Sequence, residues 1–410
     1  MRPFGRLLAS YTVNDLGDSI GVVALAVLVF DRTHEVAPTA GFFLVAKFLP
    51  ALFATGLTAH MDRFPVQRVL PAIYVVEAVV FGVLAFLAED DRFLLSIVMV
   101  LGLIDGTLAI TGRGLTRGAV AAVLQPRELI SEGNALMNLG FAASSVFGAA
   151  LAGGLIAAFG LATALAVDAA SFLIIALVLV TARDVPRLEH TEYQPWRARF
   201  RAGLRFARHH RLVRTLLIGQ SLALICFTVV VPIEVIYAKE SLGTTSAGYG
   251  ALLSAWGAGI VVGSLLFVAL KNRSGFGLIV IASALIGLAY FGMSQVDTLV
   301  LACAMSVIGG AGNGVQWVAV MTALQEATPS DYQARMSGLL ESIGAAMPGA
   351  GYLLGGVLTT VGSPRTAFAF AGIGILVLVV GALALRPGHV RRSQTSTTTG
   401  KTMGRRLSRS

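Results

Sequence analysis

The stretch Thr58-Ala59-His60-Met61-Asp62-Arg63-Phe64-Pro65-Val66-Gln67-Arg68 decides the fold. It is a short charged turn between two long apolar runs, at about residues 39–59 and 69–87. Pro65 stops one helix from running straight through, because proline lacks the N–H and its ring clashes with the preceding turn. Asp62 stands just past the first run, followed by Arg63 and Arg68. If both runs cross a bilayer, the turn lies at one surface, and its arginines mark that surface as the cytoplasmic one. The orientation of every other segment follows from that placement.

Of the 410 residues, 56% are hydrophobic and only 13% charged, against about 25% charged in a soluble globular chain. The chain therefore reads as an integral membrane protein. Apolar runs of the ~20 residues needed to span occur near 8–30, 39–59, 69–88, 93–112, 135–159, 162–182, 215–238, 246–270, 277–295, 298–324, 337–361 and 365–385. The twelve runs predict an all-α membrane protein with both termini on one side. β-barrel strands would be about ten residues of alternating character, which these are not. Arg2 and Arg6 precede the first run much as in a signal peptide. That run contains acids and is followed by many more, so it reads as the first span.

With the N-terminus inside, 26 of the 31 Lys and Arg residues fall in inner segments and 4 in outer ones, with Lys47 within a span. This bias sets the topology: a multi-pass protein of the cell membrane with cytoplasmic termini. It also explains the net charge of +9 through anionic inner-leaflet lipids, so nucleic acid is not needed as a partner. Cys226 and Cys303 both lie in apolar runs and read as packing residues. No Cys/His cluster has metal-ligand spacing, and no cofactor is implied.

Residues 183–214 divide the spans six and six. The expected organisation is a first six-helix bundle (1–182), a cytoplasmic linker (183–214), a second bundle (215–385) and a disordered basic tail (386–410). In the linker, Phe200, Leu204 and Ala207 recur at helical spacing among arginines, as in a basic amphipathic helix lying on the inner surface or in a solvated linker helix. Gly153-Gly154 followed by Gly160 matches Gly355-Gly356 followed by Gly362 at an offset of 202, and Pro126 precedes the fifth span much as Pro329 precedes the eleventh. These features predict two pseudo-symmetric bundles in parallel orientation. Gly102-x-x-x-Gly106 and Gly351-x-x-x-Gly355 are small-residue helix interfaces, either static or sliding.

Twelve spans, a long central loop and an Asp-Arg turn between spans two and three resemble the major facilitator superfamily. Its loop signature is roughly G-x-x-x-D-R-x-G-R-R. Asp62 and Arg63 match it and Arg68 lies close to the second basic site, while Thr58 and Pro65 replace its glycines. Asp62-Arg-Phe-Pro-x-x-Arg-Val-Leu70, Asn14-Asp15-Leu16-Gly17-Asp18, Asp168-Ala-Ala-Ser-Phe172 and Trp196 are similar to the drug-efflux branch that includes macrolide and siderophore exporters. The resemblance covers about residues 5–385. It implies alternating access between two bundles, with Asp62, Arg63 and Arg68 as a conformational latch. The alternative is that these arginines only hold the loop inside.

Ionisable groups within spans cost roughly 2.5–3.5 kcal/mol each on insertion scales, so each needs a partner, a wet cavity or a proton. Asp15 and Asp18 share one face of the first helix, and two carboxylates this close resist joint ionisation, as a proton carrier requires. Asp18 and Lys47 lie at similar depths, roughly 15 and 18 Å from the inner end, so they are paired here, either as a proton switch or as a static ion pair. Asp105, read as near the inner end of the fourth span, is a second proton-site candidate or a partner for Arg113 or Arg117. Gln220 lies 202 residues after Asp18 and offers a neutral group where the first half has an acid. Gln220, Asn313, Gln316, Trp317 and Glu77 are cavity-lining candidates, with polar contacts between helices as the alternative. Asp168, Glu234 and Glu341 read as solvated near span ends.

No hydrolase, protease or nucleotide-binding constellation is present, so the chain reads as a non-enzyme whose uphill transport draws on a gradient. Protons are the default ion, with sodium as the alternative. The expected function is proton-coupled export of small lipophilic compounds by a monomer. A metabolite or siderophore carrier is the rival within transport, and a non-transporting membrane sensor or assembly partner is the rival from another class.

Overall fold

The computed structural model describes residues 2–61, 64–89, 92–124, 129–181, 204–270 and 274–384. Among these the chain is helical and has no strand. The first bundle comprises α1 (Arg2–Thr33), α2 (Val36–Phe43, Leu44–Phe48 and Leu49–Met61 in succession), α3 (Val66–Leu87), α4 (Leu95–Leu124), α5 (Ile130–Phe159) and α6 (Leu161–Val180). The second comprises α7 (Arg211–Thr228, resumed as Glu234–Ile236 and Tyr237–Ser241), α8 (Ser246–Leu270), α9 (Gly275–Gln295), α10 (Leu299–Glu326), α11 (Ser330–Val361) and α12 (Pro364–Ala384). Eleven of these are long and apolar enough to cross a membrane; α11, 32 residues long, is the twelfth of the set.

The predicted repeat is visible in the packing. In the first bundle α1 packs on α5, α2 on α4 and α3 on α6; in the second α7 packs on α11, α8 on α10 and α9 on α12. Each pair maps onto the other by a shift of six helices. Gly160 and Gly362, 202 residues apart, stand at the C-caps of α5 and α11. Gly160 has φ +84°, a left-handed backbone that only glycine adopts without strain.

Two prolines break helices where their chemistry requires it. Pro50 has no N–H to give the carbonyl of Ala46, and the turn Leu44–Phe48 widens to a π-helix. Pro232 likewise has no N–H for Thr228, and α7 stops at Thr228. The sequence reading ran one span through 215–238; the structure interrupts it. The irregular turn at 229–233 is sealed in protein, with Val229, Val230 and Ile233 all 0% exposed, the condition under which non-helical backbone is tolerated within a membrane.

The bundles meet along two seams, α5 with α8 and α2 with α11. Gly153 and Gly250 bring the first pair into backbone contact; Gly349 against Phe48 and Gly356 against Ala40 fit the second. Within the bundles, Gly102 and Gly106 receive Phe42, Ala46 and Pro50 of α2, and Gly351 and Gly355 receive Thr228 and Val229. Both seams lie in the half of the molecule away from the end where α1 starts and α12 finishes. At that far end Lys239 Nζ reaches Asp31 Oδ1 of the other bundle at 2.5 Å.

Several boundaries differ from the sequence reading. α4 continues to Leu124, so Asp105 is mid-helix rather than near the inner end, and Arg113 and Arg117 belong to the helix rather than to a loop. Residues 204–209 are helical, and Ala207 (4% exposed) packs with Val213, Leu217 and Met336 of the second bundle. Ala207 of that apolar face therefore rests on protein. Phe200, most of the linker, the tail after 385, Asp62 and Arg63 lie outside the described residues, as does the side chain of Glu341. Arg68 is described and exposed at the start of α3.

The seams make a testable contrast. A Cβ at Gly355 would overlap the carbonyl oxygen of Val229, whereas nothing lies within 4 Å of one at Gly154. Thermal unfolding in detergent should show Gly355→Ala destabilised by about 1–3 kcal/mol, the usual cost of overpacking, and Gly154→Ala unchanged.

Candidate functional site

The first bundle holds a cluster of charges. Asp15 and Asp18, one helical turn apart on α1, both face Arg113 of α4, whose Nη1 lies 3.6 Å from Asp15 Oδ1 and 3.5 Å from Asp18 Oδ2. The two carboxylate side chains are 2% and 10% exposed and the arginine 30%. Asn14 Nδ2 donates to Asp18 Oδ2 at 3.2 Å. Lys47, carried on the π-helical turn of α2, lies within electrostatic range of both Asp105 and Asp18. The sequence reading had paired Asp18 with Lys47 and Asp105 with Arg113 or Arg117. The structure brings Asp18 to Arg113, the residue that sequence reasoning took for a loop charge.

Two acids lie deeper. Glu77 on α3 is 0% exposed, with no hydrogen-bond partner for either carboxylate oxygen. It stands away from the cavity described below. Asp168 on α6 is also 0% exposed, not solvated near a span end as the sequence suggested. Its carboxylate fits the groove left by Gly17 and Gly21 of α1, where a Cβ would overlap it, and accepts from Ser171 Oγ at 3.3 Å. The Gly17-x-x-x-Gly21 spacing was the available signal: two small residues on one face admit a side chain from a neighbouring helix.

The second bundle holds a cavity of about 320 Å³. Gln220, Asn313, Gln316 and Trp317 all line it, and Gln316 Nε2 donates to Gln220 Oε1 at 2.7 Å. Helical spacing explains the convergence. Asn313, Gln316 and Trp317 stand at i, i+3 and i+4 on α10; Gln220, Leu224 and Phe227 at i, i+4 and i+7 on α7; Ile260 and Ser264 one turn apart on α8. Phe141 of α5 adds one wall from the first bundle. The serines and phenylalanines carry no mark in the sequence beyond that spacing. Behind Phe227 an aromatic stack runs through Trp256 and Tyr290, whose ring centroids are 5.1 Å apart.

Two repeated bundles, with buried charges in the first and a cavity in the second, fit the anatomy of a transporter. The family described as transmembrane secretion effectors matches residues 3–402. This chain belongs to that family. It is thus a multi-pass transporter of the major facilitator superfamily. No curated protein matches it. Among solved structures, a variant of the nucleoside transporter NupG is 14% identical, with TM-score 0.71 over 94% of this chain and 100% of that one. A bacterial homologue of the iron transporter ferroportin, in an inward-facing state, is 15% identical, with TM-score 0.71 over 93% and 98%. A bacterial homologue of the lysosomal transporter Spinster is 13% identical, with TM-score 0.66 over 93% and 94%. At these identities the likeness is one of fold.

Arg113 is the cation that two buried carboxylates share. Removing one partner of a buried pair typically costs about 3–5 kcal/mol, because it strands the others. Arg113→Gln should lower the thermal midpoint in detergent sharply. Adding Asp15→Asn and Asp18→Asn to it should recover most of the loss.

Proposed function

We propose that this secretion effector exports small lipophilic compounds from the cytoplasm across the cell membrane, drives them with protons and works by alternating access. The observation that carries the reading is the buried Asp15–Asp18–Arg113 cluster of the first bundle, with Lys47 and Asp105 in electrostatic range of it. Charges there are too costly to keep as packing alone. Protonating Asp18 weakens its hold on Arg113, and so biases which end is open. The family's description as secretion effectors supports the outward direction, and the arginine-rich segments support cytoplasmic termini.

The energies are compatible with such a cycle. One proton moved across ~100 mV supplies ~2.3 kcal/mol, so the contacts that break in each cycle must be weak. Asp31 is 42% exposed, and an ion pair at such a surface contributes about 0–1 kcal/mol. The Asp31–Lys239 contact can therefore open cheaply. The Asp62–Arg63–Arg68 turn is the corresponding latch at the opposite end in this reading, holding the state in which the cytoplasmic ends of the bundles meet.

Proteoliposomes with an imposed pH gradient test the coupling. Asp18→Asn should reach the membrane in normal amount and lose gradient-driven dye or drug transport; undiminished transport would rule out Asp18 as the carrier. Alternating access has its own test. Asp31→Cys with Lys239→Cys should cross-link on oxidation, halt transport and regain it on reduction. A scaffold or sensor would show neither effect.

A further inference from the structure

We infer that the second-bundle cavity takes an uncharged lipophilic molecule bearing an amide-like edge, a donor and an acceptor side by side. This rests on the transporter reading above and narrows its substrate class. Among the described residues, no charged side chain lines the cavity. The interior ion pairs shown among the described residues lie in the first bundle instead, between α1 and α4. A cation entering this cavity would shed its water without meeting a counter-charge. The rings of Phe227, Trp317 and Phe141 return only part of that loss through their faces.

The polar groups that are present have a definite pattern. Gln316 Nε2 and Gln220 Oε1 satisfy each other at 2.7 Å. That bond leaves Gln316 an acceptor oxygen and Gln220 a donor amide. Neither remaining atom is among the sealed, unpartnered polar atoms of the described residues. The pair therefore presents a donor next to an acceptor, the complement of a carboxamide, lactam or imide edge. Asn313, one turn from Gln316 on the same face of α10, offers a third amide. A buried site built to hydrogen-bond an amide discriminates strongly against an analogue that lacks it, because its own polar groups are then left unpaired.

Three molecules of one shape test this against the full-length protein in lipid nanodiscs by titration calorimetry. Benzanilide is neutral and carries the amide; trans-stilbene lacks it; 1-methyl-4-styrylpyridinium carries a fixed positive charge. Benzanilide should bind saturably and roughly tenfold tighter than stilbene, the worth of about one net hydrogen bond. The pyridinium should bind more weakly than either. Gln220→Leu with Gln316→Leu should abolish the gap between benzanilide and stilbene. Should that variant not fold, Asn313→Asp, which puts a carboxylate on the wall, should raise pyridinium affinity tenfold or more. Pyridinium binding as tight as benzanilide, or a gap that survives loss of both glutamines, overturns the inference. So does gradient-driven transport of other compounds with no benzanilide binding, and that result leaves the transporter reading standing. Absence of transport across a broad compound panel overturns both.

Discussion

A carboxylate inside a bilayer needs a partner, a wet cavity or a proton, and Arg113 is the partner that Asp15 and Asp18 share. That constraint shapes the first bundle. α4 has to bring a guanidinium to α1 at membrane depth, so it stays helical through Arg113 and ends only at Leu124. α2 has to bring Lys47 to the same region, and the π-helical turn ahead of Pro50 carries it there. A single cation shared by two acids leaves the cluster short of positive charge. A proton or a second cation can make up that deficit, and Lys47 stands within electrostatic reach of Asp18 as well as Asp105.

The two bundles share a packing plan but not a chemistry. The shift of six helices that superposes their contacts also sets Gln220 opposite Asp18 in the repeat. One copy has an acid and a cation that holds it. The other carries an amide that pairs with a second amide, Gln316. A neutral pair of this kind is a net ~0.5–1.5 kcal/mol interaction and avoids the several kcal/mol per ion of desolvation that a buried charge incurs. The second bundle can therefore keep a cavity open at low cost.

Much of this was legible in the residues. Hydropathy marked the spans because lipid demands about 20 apolar residues from each. The glycine pairs marked interfaces because only small residues let backbones touch, and Gly102, Gly106, Gly351 and Gly355 all occupy such contacts. Asn313, Gln316 and Trp317 were visible as one face of one helix. What stayed hidden were features that hydropathy does not encode. A run that ends at its first arginine looks like a span that ends there, so Arg113 was read as a topological charge. Depth along a helix is one coordinate of three, so it could pair Asp18 with Lys47 yet say nothing about which face of α4 turns toward α1. The break in α7 followed from Pro232 all along, but a continuous apolar run outweighed it.

The charged cluster and the neutral cavity sit on separate bodies, so any traffic between them has to cross a seam. α5 is the element placed to carry it. It packs on α1, which bears Asp15 and Asp18, and on α8 across the seam, and its Phe141 forms a wall of the cavity. Ser144 of α5 donates to the backbone oxygen of Thr12 in α1 at 2.9 Å, and Gly153 holds α5 in backbone contact with Ser246 and Gly250 of α8. A change of charge on α1 that shifts α5 moves both the seam and Phe141, because packed interiors yield as rigid units rather than by local give. Coupling of this kind needs no wire of polar residues. It needs one helix held firmly at both contacts, and the glycines that admit the backbones are what make the grip firm.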